Sequence, residues 1–258
     1  MAGPGMLLIL KLLLVPVLIG VVTWAGRRWG AGVAGRLSTF PLVAGPILIF
    51  ITLEQGALFA VQTAGAATAA ISAFAAFALA YAWLARRHGW VVSLCGAYLA
   101  YAGAASLILW CKAALLPSVV LDVLALLIAA WLLPASSVVP RPRAVRGELV
   151  LRMVCGAVLV LLITGAADML GPHAAGMLAL FPVLGTVVTV FSHRLAGAAF
   201  VAVLLRAMVW GNFAMLGFCA TLALTLSRLP APAAFGLAAL AALAANALTT
   251  WWLRRARG

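Results

Sequence analysis

Acidic side chains are nearly missing from this chain: four Asp and Glu stand among 258 residues, against 17 Lys and Arg. Histidine is almost as scarce, at three. Such groups, spread over different loops, cannot assemble a metal cluster or an acid–base pair. No HExxH, GxSxG, P-loop or haem-type Cys-His pairing occurs either. The chain is therefore read as a non-enzyme with no cofactor and no metal. Cys95, Cys111, Cys155 and Cys219 lie singly in apolar runs without CxxC spacing, the pattern of thiols buried in helices rather than of disulfides or zinc ligands.

Polar surface is the second scarcity. Charged residues make up 8% of the chain and hydrophobic ones 67%, with a mean hydropathy of +1.23, too little polarity to clothe a soluble globule. A secreted protein with a cleaved leader fits poorly, because apolar segments continue to the last residues. Sustained period-two alternation is also lacking and the segments are too long for barrel strands, which leaves an all-α, polytopic transmembrane bundle.

A helix needs roughly 20 apolar residues to cross about 30 Å of hydrocarbon. By that ruler nine segments separate, over about Met6–Gly26, Leu37–Leu53, Ala57–Ala85, Trp90–Trp110, Ala113–Leu133, Leu149–Ala167, Met177–Ser192, Ala196–Leu226 and Ala231–Leu253. Residues 135–147, rich in Pro and Arg, are the one convincing polar linker, dividing a five-helix unit (1–134) from a four-helix unit (148–258).

Basic residues collect on the cytoplasmic side of membrane proteins. Here the loops after segments one, three, five and seven and the C-terminal tail hold Arg27, Arg28, Arg36, Arg86, Arg87, Arg141, Arg143, Arg146, Arg194, Arg254, Arg255 and Arg257, whereas the opposite loops hold only Lys112 and Arg228. The expected topology is an N-terminus in the periplasm and a C-terminus in the cytoplasm. The net charge of +13 is then a matter of orientation and of contact with anionic headgroups, at about 1 kcal/mol each. No nucleic-acid partner is implied, since no basic run is interleaved with aromatics.

One stretch occurs twice. GAGVAGRLSTFPLVAGPILIF (Gly30 to Phe50) and GPHAAGMLALFPVLGTVVTVF (Gly171 to Phe191) align without a gap at a constant offset of 141, the step from Gly35 to Gly176. Identities include Gly30/Gly171, Leu37/Leu178, Phe40/Phe181 and Pro41/Pro182, and the register extends to Thr23/Thr164 and Gly56/Gly197. The offset carries the first segment onto the sixth, five crossings later. Five is odd, so the copies enter the bilayer from opposite faces, the inverted duplication of many secondary transporters, whose site forms between the repeats.

Candidate site residues follow from that plan. Proline and glycine weaken both repeat cores, so Phe40, Pro41 and Gly45, with Phe181, Pro182 and Gly185, are read as broken helices exposing backbone to a substrate, or else as close-packed kinks with no ligand. A charge at the bilayer centre costs about 2.5 to 3.5 kcal/mol on insertion scales, which singles out Arg206 and Asp122. Either the two pair across the bundle, or Arg206 holds an anionic substrate while Asp122 couples a proton or cation. Glu54, Gln55 and His193 flank the repeat cores as gates or as solvated helix ends. Asn212 is read as a substrate contact or an interhelical hydrogen-bond donor, and Lys11 and Arg152 as side chains that snorkel.

The second half, from about Leu149 to Leu253, resembles the small four-helix inner-membrane proteins of the GlpM family. The resemblance is carried by Gly176, Leu178, Leu180-Phe181-Pro182, the apolar run to His193, and Met208-Val209-Trp210. The first half shares Gly35, Leu37 and Phe40-Pro41, but has Glu54-Gln55 where the second has Leu195-Ala196. The resemblance implies a bacterial inner-membrane protein, in a family associated with alginate production in some bacteria, and no site residue is carried over from it. The reading is a permease-like transporter of a small, anionic solute, with the lipid bilayer as its other partner. A non-transporting scaffold or assembly factor for envelope or exopolysaccharide synthesis, and a lipid-handling protein, are the alternatives. A homo-oligomer is compatible with all three.

Overall fold

Helix is the only regular structure among the described residues, 4–111, 115–134, 147–170 and 182–255 of the computed structural model. The elements are α1 (Pro4–Trp29), α2 (Ala31–Thr39), α3 (Ala44–Gln55), α4 (Ala57–Leu84), α5 (Trp90–Cys111), α6 (Leu115–Leu132), α7 (Glu148–Leu170), α8 (Val183–Thr225) and α9 (Ala231–Arg255). Among the described residues seven stretches are long and apolar enough to cross a membrane, α2 and α3 together forming one of them. Leu53, Leu99, Trp110 and Trp131 are each at least 76% exposed. Side chains that apolar on so much of the outer surface belong against lipid, and the chain is a multi-pass membrane protein.

Glycine sets the folds of the path. Gly30 (φ 90°, ψ 177°), Gly56 (φ 87°, ψ 167°) and Gly197 (φ 79°, ψ 179°) adopt one conformation, a region open in practice to glycine alone. Each folds the helix behind it back upon the helix ahead. At Gly197 the turn brings Thr189 Oγ1 to 4.0 Å from Met208 Sδ, positions that a straight helix would hold about 28 Å apart. α8 is therefore two arms, before and after Gly197.

The second expected segment, Leu37–Leu53, is instead two helices, and the glycine-containing stretch before it is helical from Ala31 onward. Pro41 has no N–H to donate and forces the residue before it out of the helical region, and Phe40 accordingly sits at φ −65°, ψ 145°. α2 meets the second arm of α8 through Gly35, and that arm meets α2 through Gly211. A Cβ at Gly35 would collide with the backbone of Leu204 and Met208, and one at Gly211 with Thr39 Oγ1 and the backbone of Arg36. The backbones of α2 and the second arm of α8 thus approach closely, as small residues permit in membranes.

Helix directions follow from the contacts. α1 and α7 run antiparallel, with Arg27 on Glu148, Thr23 on Arg152 and Ile19 against Gly156. The first arm of α8 runs along α4, with Gly185 near Phe74 and His193 on Tyr81, and against α5, with Thr186 on Tyr98 and Arg194 on Trp90. α9 returns along the second arm, placing Trp252 against Trp210 and Ala241 against Gly217. Several boundaries differ by the offset seen in sequence: Trp29 and Leu170 end α1 and α7, Leu84 and Thr225 end α4 and α8, and Trp90 and Ala231 begin α5 and α9.

Candidate functional site

Tracing these directions brings Arg27, Arg28, Arg86, Arg87, Arg152, Arg194, Arg254 and Arg255 to one end of the bundle. Glu54, Gln55 and Arg228 lie at the other. At the basic end a crevice of about 440 Å³ is lined by Trp83, Leu84, Arg86, Arg87 and His88, with the Arg86 guanidinium 4.8 Å above the Trp83 ring.

The first Phe-Pro motif is packed in apolar surroundings. Phe40 joins a cluster that includes Leu48, Ala60, Phe218 and Leu222, Pro41 is buried, and a Cβ on Gly45 would meet Phe218 at ordinary contact distance. In the second motif Phe181 lies outside the described residues. Pro182 caps α8, and its carbonyl accepts the Thr186 N–H at 2.8 Å, matching the bond from the Gly45 N–H to the Pro41 carbonyl at 2.9 Å. Gly185 is buried beside Phe74. Among the described residues, no member of either motif lines the crevice or the smaller cavity beside Arg152.

Beyond Pro182 the first arm of α8 carries polar side chains where α3 is largely apolar. Thr186, Thr189 and Ser192 are all buried, and their spacing puts them on one helical face with His193. Tyr98 donates from its hydroxyl to Thr186 Oγ1 at 2.9 Å, and the Tyr81 hydroxyl lies 3.2 Å from His193 Nδ1. Phe77 packs between the two tyrosines. At the matching points of α3 stand Gly45, Leu48, Ile51 and Thr52.

Asp122 and Arg206 do not pair. Asp122, 1% exposed at the middle of α6, accepts from the backbone N–H of Ser72 at 3.2 Å and from the Ser72 hydroxyl, while its Oδ2 has no hydrogen-bond partner. Arg206 donates to the carbonyls of Ala130 at 2.8 Å and Leu133 at 3.1 Å. Those acceptors end α6, so Arg206 satisfies helix carbonyls and meets the negative end of the helix dipole. Asn212, expected to bond between helices or to substrate, donates to the Met208 carbonyl of its own helix at 3.1 Å. Glu54 Oε1 is buried without a partner, and Gln55 is exposed.

A charged cluster that sequence reasoning missed lies at the basic end. Arg27 donates to Glu148 Oε2 at 2.6 Å, Glu148 Oε1 pairs with Arg152, and Arg152 reaches Thr23 Oγ1 at 3.5 Å. Arg152 is 4% exposed and Glu148 6%. Arg152 therefore does not snorkel; its guanidinium lies 5.2 Å over the Phe191 ring. The available signal was the Glu148–Arg152 spacing, which sets the two side chains on one face at the start of a helix. Comparison with protein-family models, curated proteins and solved structures found no match to this chain, so the GlpM resemblance stands on the residues quoted for it alone.

Proposed function

We propose that the protein is a permease-like transporter of a small anionic solute, built from an inverted duplication and sited between the two copies. The observation that carries this reading is the pair of folded-back arms. α3 with α4 and the two arms of α8 turn at Gly56 and Gly197, 141 residues apart, while the corresponding helices α1 and α7 run in opposite senses. Broken helices in corresponding positions of two inverted halves are the usual carriers of a transporter's site.

In this reading the halves are 1–134 and 148–258, joined through 135–147, and the basic end faces the cytoplasm of a bacterial inner membrane by the positive-inside rule. The hydroxyl-lined first arm of α8 contributes polar contacts to the solute. Asp122, a lone carboxyl with one free oxygen at mid-helix, is the coupling group. Arg206 is a positioning residue for α6 and not a substrate ligand.

The test is uptake by the purified protein in proteoliposomes, with chloride, phosphate and small carboxylates offered under proton and sodium gradients. Saturable uptake that Asp122→Asn abolishes supports the reading. No uptake above empty vesicles for any of these ends it, and favours a scaffold or assembly role, the alternative supported by the apolar packing around Phe40, Pro41 and Gly45.

A further inference from the structure

The cluster of Arg27, Glu148 and Arg152 does not balance. Two guanidiniums face one carboxylate, and no other acidic side chain is available. Of the chain's four acids, Glu54 ends α3 at the far end and Asp122 is held by Ser72 in mid-bundle. Asp168 stands twenty residues beyond Glu148 on α7, about 30 Å along the helix. One positive charge is therefore left over. Of the two guanidiniums Arg152 is the more deeply buried, its side chain 5% exposed against 29% for Arg27, and its Nε has no hydrogen-bond partner. A buried cation in that condition calls for a counter-charge.

Beside it is a space of the right kind. A cavity of about 20 Å³ lies between α1, α2, α7 and α8, lined by Thr23, Arg27, Arg152, Val188, Ser192 and Phe200 among others. Arginine N–H groups and the hydroxyls of Thr23 and Ser192 can all donate into it, whereas its apolar walls offer nothing to a cation. The volume is enough for one water-sized sphere. A single halide matches that volume, whereas a tetrahedral phosphate or a lipid headgroup would have to extend out of the cavity.

We infer that this cavity is a binding site for one chloride-sized anion, held by Arg152 with Thr23, Ser192 and Arg27. The site ties the first half of the chain to the second, since Thr23 and Arg27 belong to α1 and Arg152 and Ser192 to α7 and α8. It goes beyond the transport reading, because the anion resides there whether or not any solute moves.

The experiment is thermal unfolding of the full chain in detergent, in sodium chloride against sodium gluconate at equal ionic strength. A ligand that binds only the folded state raises the unfolding temperature with its concentration. Wild type is expected to gain stability with chloride and not with gluconate. Arg152→Gln should need at least ten times more chloride for the same gain. Ser192→Val leaves the three charges in place and fills the cavity, so it should lose the chloride effect while remaining folded; it serves as the test if Arg152→Gln does not fold. Glu148→Gln distinguishes the site from a plain ion-pair latch: with a second positive charge uncompensated, it should respond to less chloride than wild type. An unfolding temperature of wild type identical in the two salts overturns the inference, as does a chloride response that survives in Ser192→Val or disappears in Glu148→Gln.

Discussion

Gly45 and Thr186 occupy matching points on two arms that share a backbone plan and differ in what surrounds them. Both N–H groups bond back to the proline four residues earlier, and both arms end at a glycine with positive φ. Gly45 faces a phenylalanine in an apolar cluster, while Thr186 takes a hydrogen bond from Tyr98. The two arms share the proline and glycine that direct the chain and differ in the side chains they present. One arm has become a wall and the other a surface able to bind polar groups.

The largest expected effect comes from the platform on which α2 rests. Gly35→Ala drives a methyl group into the backbone of Leu204 and Met208, and Gly211→Ala drives one into Thr39 Oγ1 and tightly against the Arg36 backbone; with no flexible side chain to yield at Gly35, each should destabilise by about 3 kcal/mol, the upper part of the overpacking range. The residue matching Gly211 in the first half is Ala70. Ala70→Gly, the reverse exchange, should cost only about 1 kcal/mol of helix propensity. Denaturation in mild detergent checks both. Equal losses at positions 70 and 211 would mean that the two halves pack alike and that the comparison is drawn too sharply.

Next in size are the two turns. Gly56→Ala and Gly197→Ala each place a side chain at a φ near +80°, and strain of this kind costs about 1–3 kcal/mol. Neither glycine has a neighbouring atom within 4 Å of where a Cβ would be, so the loss is conformational and should be similar at both. A large loss at Gly197 with none at Gly56 would break the equivalence of the arms.

Much of this was legible beforehand because membrane proteins write their constraints in composition. Segment ends are marked by Arg, and Gly56 and Gly197 were already paired by the 141-residue register. What the sequence concealed depends on partners. Glycines between Gly30 and Arg36 look like a linker until the backbone of α8 is set against Gly35. Arg206 reads as a ligand because a lone buried arginine usually is one, and only the end of α6 beside it supplies the carbonyls that explain it. The division between segments seven and eight was expected over Ser192 to Ala196, yet the chain stays helical there and turns at Gly197, since polarity marks a surface and not a bend.

The smallest expected effect is the most discriminating between wall and binding surface. His193 and Thr52 are matching positions; His193 meets the hydroxyl of Tyr81 across the helix interface, whereas Thr52 Oγ1 bonds within its own helix to the Leu48 carbonyl at 2.7 Å. His193→Phe retains the edge contact between the rings, whose centroids are 5.7 Å apart, and removes only the polar partner, a loss of about 1 kcal/mol. Thr52→Val should change stability by less than about 0.5 kcal/mol, as for a substitution that breaks no contact between helices. In proteoliposomes the first is expected to lower uptake severalfold and the second to leave it unchanged. Should Thr52→Val impair uptake as much as His193→Phe, the solute must touch both arms, and the apolar packing around Gly45 would be a closed state of a site that the two halves share equally.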